Sequence, residues 1–243
     1  MTQLLVSVRN ADEAETVSPY PIAILDVKEP DRGPLGSPDP ETLRQITGVV
    51  AQQQTMSFAA GELSQWRNPN NQRTRNGFQH HYGGLLQNFR YVKIGLAGMR
   101  FEENWRYDWQ VMFRDLPGST SAVVVSYFDY HTCGAPPPSE LIEFAAAEPN
   151  CFTILFDTFD KSNDLFGYIK SAELAAQIND SRSNGLQTVV AGSINESSLA
   201  NVVALDPDFV GVRGAVCRGD RGNKIDGRLV NELALTLQAL TEN

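Results

Sequence analysis

Ala122-Val123-Val124-Val125-Ser126-Tyr127-Phe128 is a run of apolar and β-branched residues with one small hydroxyl in it. A strand with one face in water alternates polar and apolar side chains. Near-continuous apolarity marks a strand covered on both faces, as in a parallel sheet. The same signature recurs at residues 4–8, 22–27, 56–60, 91–96, 152–156, 187–191 and 209–212, which makes eight runs in all.

Helical patterning fills most of the gaps. Ser37-Pro38-Asp39-Pro40-Glu41 reads as a helix start, with a capping residue, a proline in the first turn and an acid behind it; Leu43, Ile46 and Val50 then share a face. Phe101, Trp105, Trp109, Met112 and Phe113 repeat at helical spacing, and Ser139 precedes Leu141, Ile142 and Ala145. Ser171 precedes Leu174, Ala175 and Ile178, with Gly185 where that helix would stop. Leu229, Leu233, Leu237 and Leu240 stripe a last helix. These stripes are faces packed on a core. Strand and helix alternating eight times predict right-handed βαβ units and a closed (β/α)₈ TIM barrel of the α/β class. An open doubly wound sheet usually has five or six strands, and neither GxGxxG nor GxxxxGK[ST] occurs.

The length of 243 residues fits one such domain, spanning 1–243. The segment at about 61–88 departs from the pattern. It carries Gln-Trp-Arg-Asn-Pro-Asn-Asn-Gln-Arg-Thr-Arg-Asn and His80-His81, and reads as an enlarged polar βα loop on the catalytic face.

Basic residues number 20 against 29 acidic ones, a net charge of -9. That balance argues against nucleic-acid or anionic-membrane partners and leaves room for a local basic pocket that takes a small anion. Cys133, Cys151 and Cys217 form no CxxC pair, so neither a zinc site nor a disulfide framework is signalled, which fits a reducing cytoplasm. The opening MTQLLVSVRN has no basic n-region, and no apolar stretch approaches the ~18 residues of a membrane span, so a cytoplasmic protein with no signal peptide is expected. His80, His81 and His131 match no ligand spacing, and no metal site is expected.

In such a barrel the polar residues at the C-terminal strand ends are the catalytic candidates. Asp26 and Lys28 end the second run, Lys93 lies in the fourth, and Asp157 and Lys161 follow the sixth. A single Lys–Asp here is most simply a buried ion pair. Three lysines from even-numbered strands share layers and face one another, and repulsion with partial desolvation lowers a lysine pKa toward nucleophilic, Schiff-base chemistry. Gly192 and Ser193 after the seventh run, and Arg213 and Gly214 after the eighth, suit a phosphate, through exposed backbone amides and a guanidinium clamp. Arg218, Arg221 and Lys224 read as a solvated charged loop, with a second phosphate as the sharper alternative. Asp129 or Tyr127 is a candidate proton shuttle. Cys217 reads as a packed thiol.

The blocks LLVSV (4–8), ILDVKEPDRGPLG (24–36), YVKIGL (91–96), FDTFDK (156–161), VVAGSI (189–194) and DFVGVRGAVCRGDR (208–221) resemble the (5-formylfuran-3-yl)methyl phosphate synthase family of methanofuran biosynthesis, in order from Leu4 to about Leu240. The resemblance implies a TIM-barrel carbon–oxygen lyase, needing no cofactor, that condenses two molecules of glyceraldehyde 3-phosphate with loss of one phosphate and water. It places the Schiff-base lysine on Lys28, its partner carboxylate on Asp26, the other essential lysines on Lys93 and Lys161, and the second aspartate on Asp157. The resemblance lapses between Gly61 and Tyr91, where the polar stretch is extra. The other readings are a class I aldolase-type barrel acting on another sugar phosphate, and an inactive barrel serving as a scaffold. Barrels of this kind commonly self-associate, so a homo-oligomer is an open expectation with no interface pattern behind it.

Overall fold

The structure, a computed structural model, describes residues 1–67 and 72–242, the side chains of 72–76 excepted. Eight parallel strands close into a barrel in sequence order: β1 (Gln3–Val8), β2 (Ile24–Val27), β3 (Thr55–Glu62), β4 (Tyr91–Gly95), β5 (Ser121–Tyr127), β6 (Cys151–Asp157), β7 (Gln187–Val190) and β8 (Phe209–Val212). The β8 strand returns to pair with β1, Leu4 opposite Val210 and Val6 opposite Val212. Around them lie α1 (Ala11–Val17), α2 (Pro40–Val49), α3 (Leu63–Arg67), α4 (Gln72–Tyr82), α5 (Trp105–Phe113), α6 (Tyr130–Cys133), α7 (Pro138–Ala147), α8 (Ser171–Ser183), α9 (Glu196–Val203) and α10 (Gly227–Thr241).

The strands are apolar throughout because each serves two cores. Val6, Leu25, Phe58, Val92, Val124 and Val210 point outward and pack beneath the helices. Leu5, Ile24, Ala59, Val123, Leu155 and Phe209 point inward and fill the barrel. Alternation along a strand is real but invisible in hydropathy, since both faces are dry. Towards the C-terminal ends the inward positions turn polar. Ser7 pairs with Asp26 and Asp26 with Ser57, while Ala59 sits opposite Lys93.

Helix ends follow local chemistry. Asn195 caps α9 by accepting from the amides of Ser197 and Ser198, and Ser198 returns the bond to the Asn195 amide. Asp39 precedes α2 as expected but does not cap it with its side chain; its carboxylate takes Arg32 in two hydrogen bonds of 2.9 and 2.8 Å. Phe101 lies outside α5 and is 86% exposed, so the buried face of that helix starts at Trp105.

The expected polar loop at 61–88 is largely helical among the described residues. After β3 come α3 and α4, the latter broken at Gly77, where φ is 70°, and then a 3₁₀ stretch, Gly83–Asn88. Trp66, Phe78, Tyr82 and Phe89 gather around Phe58, whose ring lies 4.9 Å from both Tyr82 and Phe89. These widely spaced aromatics make the segment the outer cover of β3 and β4, despite its polar composition. Residues 68–71, which belong to that expected loop, lie outside the described residues. No described helix is long and apolar enough to cross a membrane.

Candidate active site

A cavity of about 310 Å³ opens at the C-terminal ends of the strands. Asp26, Lys28, Lys93, Asp157, Lys161, Gly192, Ser193, Arg213 and Gly214 all line it. At its floor Asp26 is only 1% exposed. It receives the Ser7 hydroxyl at 2.9 Å, the Ser57 hydroxyl at 2.6 Å, and an ion pair with the buried Lys93. Burial alone would raise the Asp26 pKa. The charges of Lys93 and Lys28, with the hydrogen bonds from Lys93 and Ser57, outweigh it and hold the carboxylate below its ordinary value. Asp26 is therefore an anion fixed by β1, β3 and β4 at once. The two serines are small hydroxyls inside apolar runs, and no motif marks them in the sequence.

A second pair stands at the end of β6. Asp157 Oδ1 accepts from Lys161 Nζ at 2.5 Å and from the Thr158 amide at 2.8 Å. Burial lowers the Lys161 pKa, Asp157 opposes that shift, and Arg221 reinforces it. Lys28 differs from both. Among the described residues it has no ion pair and no side-chain hydrogen bond. Burial lowers its pKa to about 7, against the pull of Asp157 and Asp26 and with the push of Lys161 and Lys93. About half of a lysine with that pKa is a free amine at neutral pH.

The loop after β7 supplies backbone donors. Gly192 has φ 115°, and Ser193 also takes the left-handed region at φ 52°. A Cβ on Gly192 would come within 3.0 Å of Thr158 Cγ2 and 3.2 Å of Leu165 Cβ. Among the described residues the amides of Gly192 and Ser193 find no protein acceptor, and they lie just ahead of α9. Two such amides ahead of a helix can donate to an anion, the role expected of this loop in a barrel. Gly214, which opens a 3₁₀ turn after β8, lines the same cavity.

Arg213 does not act as the expected clamp. It is 4% exposed and its donors are taken by the protein. Nη1 and Nη2 grip Glu13 at 2.8 and 3.2 Å, Nη1 also reaches the Ser7 carbonyl at 3.0 Å, and Nε holds the Arg221 carbonyl at 2.7 Å. It braces β8 against α1. Arg218 turns outward to Asp226 at 3.0 Å, while Arg221 enters the cavity.

Sequence reasoning also missed Glu62. Its carboxyl lies where a side chain on Gly95 would be; a Cβ there would stand 2.1 Å from Oε2. Tyr127 donates to Oε1 at 2.6 Å and the Ala97 amide to Oε2 at 2.9 Å. Burial raises the Glu62 pKa against those two hydrogen bonds, with Asp157 adding to the rise. Tyr127 is thus committed to Glu62. Asp129 is committed to the loop after β6, accepting from the amides of Phe159 and Asp160 at 2.7 and 2.8 Å. Neither lines the cavity as a shuttle. Burial pushes the Cys217 thiol up, as suits a packed thiol. Among the described residues no group of three His, Cys, Asp or Glu side chains is placed to hold a metal.

A family model described as 4-HFC-P synthase matches residues 4–234. A (5-formylfuran-3-yl)methyl phosphate synthase from Methanopyrus kandleri is 32% identical over 97% of this chain and 98% of its own length. One of the same name from Archaeoglobus fulgidus is 29% identical over 95% of this chain and 97% of its own. Among solved structures, phosphoribosyl anthranilate isomerase from Thermotoga maritima superposes with a TM-score of 0.63 at 13% identity, over 98% of this chain and 100% of that one. The 3-hexulose-6-phosphate synthase of Salmonella typhimurium gives 0.59 at 16% identity, over 97% and 100%. At such identities the structural likeness is one of fold.

Proposed function

The chain belongs to the 4-HFC-P synthase family, and from that premise we propose that it condenses two molecules of glyceraldehyde 3-phosphate into (5-formylfuran-3-yl)methyl phosphate, for a methanofuran-type cofactor, through an imine on Lys28. The observation that carries this reading is the Lys28 amine: without an ion pair among the described residues, with a pKa of about 7, in one cavity with two Lys–Asp pairs and the free amides of Gly192 and Ser193.

The free amine of Lys28 adds to the aldehyde of the first triose phosphate, and loss of water leaves the imine. Asp26 stays ionised beneath it and supports the cationic imine electrostatically. The imine acidifies the neighbouring C–H. Asp157 or Lys161 takes that proton, and the C–O bond to phosphate on the next carbon breaks, expelling inorganic phosphate. The elimination leaves an enol, and its terminal carbon adds to the middle carbon of the second triose phosphate, which has first shifted to its ketone isomer; this bond gives the branched skeleton of the product. Ring closure and dehydration give the furan, with aromaticity as the driving force, and release the product from Lys28. The Gly192–Ser193 cradle holds the phosphate that is retained.

Borohydride reduction in the presence of glyceraldehyde 3-phosphate tests the imine, with the adduct located by peptide mass spectrometry. An adduct on Lys28, together with an ultraviolet-absorbing furan aldehyde from triose phosphate alone, is the expected result. An adduct elsewhere, or none, overturns the reading, as does normal turnover in Lys28→Ala. A simple sugar phosphate as product would point instead to an aldolase.

A further inference from the structure

Arg213 and Arg221 both reach the cavity, and their guanidinium groups stand in opposite situations. Arg213 spends its donors inside the protein, as described above. Arg221 has, among the described residues, one guanidinium hydrogen bond, from Nη2 to the Gly33 carbonyl at 3.5 Å, the long limit of such contacts. It makes no ion pair among the described residues, although it is half-buried. A partly desolvated cation with most of its donors free is costly until an anion meets it.

The position of this side chain is nevertheless well determined. Arg213 Nε holds the Arg221 carbonyl at 2.7 Å, and the turn around it is closed by hydrogen bonds from the Arg218 amide to the Lys224 carbonyl at 3.1 Å and from the Asn223 amide to the Asp220 carbonyl at 2.9 Å. Arg221 Cβ lies 3.8 Å from where a Cβ on Gly214 would stand, so the side chain starts beside Gly214 and runs toward Gly33 across the mouth. Its charge is felt at the Asp157–Lys161 pair: it adds to the lowering of Lys161, and Asp157 is the main charge opposing the lowering that burial imposes on Arg221 itself.

We propose that Arg221 receives the phosphate of the triose phosphate bound to Lys28, at a subsite separate from the Gly192–Ser193 cradle. The inference rests on the condensation proposed above and deepens it. Two phosphate monoesters, each near −2, repel in one small cavity and need separate counter-charges. The cradle lies on the β7 side. That cradle abuts Thr158 at the end of β6, whereas Arg221 reaches across to Gly33, in the loop that follows Lys28, and so faces a triose held on that lysine. As the proton leaves carbon, its bonding electrons form a C=C bond, the C–O bond breaks, and phosphate carries away that bonding pair. A guanidinium offering two parallel N–H groups meets the charge that develops on the leaving oxygen.

The test compares trapping on Lys28 by borohydride with glyceraldehyde 3-phosphate and with unphosphorylated glyceraldehyde, in wild type, Arg221→Met and Arg221→Lys. Wild type should need far less of the phosphorylated aldehyde. Arg221→Met should lose that preference by about 10²-fold, and inorganic phosphate release with it, while trapping of glyceraldehyde stays at the wild-type level. Arg221→Lys should fall between. An undiminished preference in Arg221→Met overturns the subsite and leaves the imine chemistry standing. Loss of glyceraldehyde trapping in both variants assigns Arg221 a structural role and also overturns it. Absence of any Lys28 adduct in wild type overturns the underlying condensation instead.

Discussion

Imine formation on Lys28 should follow the population of its free amine, and the cavity sets the pH at which that amine appears. Burial, reinforced by Lys161 and Lys93 and opposed by Asp157 and Asp26, brings the pKa to about 7. Only the unprotonated amine attacks an aldehyde, so the rate must fall as pH drops below 7. At pH 6 about one amine in ten is free, and at pH 5 about one in a hundred. A lysine at its ordinary pKa would be free in roughly one molecule in three thousand at pH 7, so the environment is worth on the order of 10³ in reactive amine. The initial rate of borohydride trapping on Lys28, followed from pH 5 to 9, should lose about tenfold per unit below 7 and level off above 8. A rate that still climbs through pH 9 would refute the claim that burial and neighbouring cations have tuned this group. The same shift has a mirror in stability. The folded pKa lies below the unfolded value of 10.5, so the cost of burying the cation is fully present below pH 7 and is relieved as pH rises toward 10.5. At its fullest that cost is roughly 5 kcal/mol. Lys28→Met should therefore raise Tm at pH 6, and the gain should shrink by pH 9; equal gains at both would sink the electrostatic explanation.

The brace between β8 and α1 gives a contrasting outcome. Arg213 and Glu13 have side chains 2% and 6% exposed, so Arg213→Met strands a buried carboxylate and should cost about 3–5 kcal/mol, or about 6–20 °C in Tm. A change of a degree or two in calorimetry would mean that the ion pair is not the brace described. Gly95→Ala pushes a methyl into the Glu62 carboxyl, which must leave its contacts with Tyr127 and Ala97; a loss of about 1–3 kcal/mol in denaturant unfolding is expected. The double variant Gly95→Ala/Glu62→Gly should recover most of that loss, and failure to recover would place the strain elsewhere.

The barrel was legible because both of its cores are apolar, which stamped the same signature on every strand. The lysines and aspartates were legible because an ionisable residue at the end of an apolar run has few structural uses. What escaped was decided by partners distant in sequence. Nothing near Arg213 announces that Glu13, on the first helix, will take its donors, so a strand-end arginine read as a clamp. Arg221, three residues past Arg218 in a charged turn, looked solvated until Arg213 was seen holding its carbonyl. Ser7 and Ser57 acquire meaning only through the register that sets both against Asp26. Glu62 needed the knowledge that Gly95 leaves it room. The segment before β4 hides its packing for another reason: Trp66, Phe78 and Tyr82 are too sparse to dominate its composition, yet three large rings suffice to cover a pair of strands.

The grip of Arg213 on Glu13 also bears on how the chain is made. The acid emerges from the ribosome two hundred positions before the arginine that answers it. A nascent chain that stops short of β8 keeps the Arg9 amide against Glu13, at 2.8 Å, but lacks the Arg213 guanidinium that answers the charge, which weakens a partial barrel. The same arginine fixes the turn that carries Arg221. Completion of the last strand thus delivers the brace to α1 and the turn that carries Arg221 in one event.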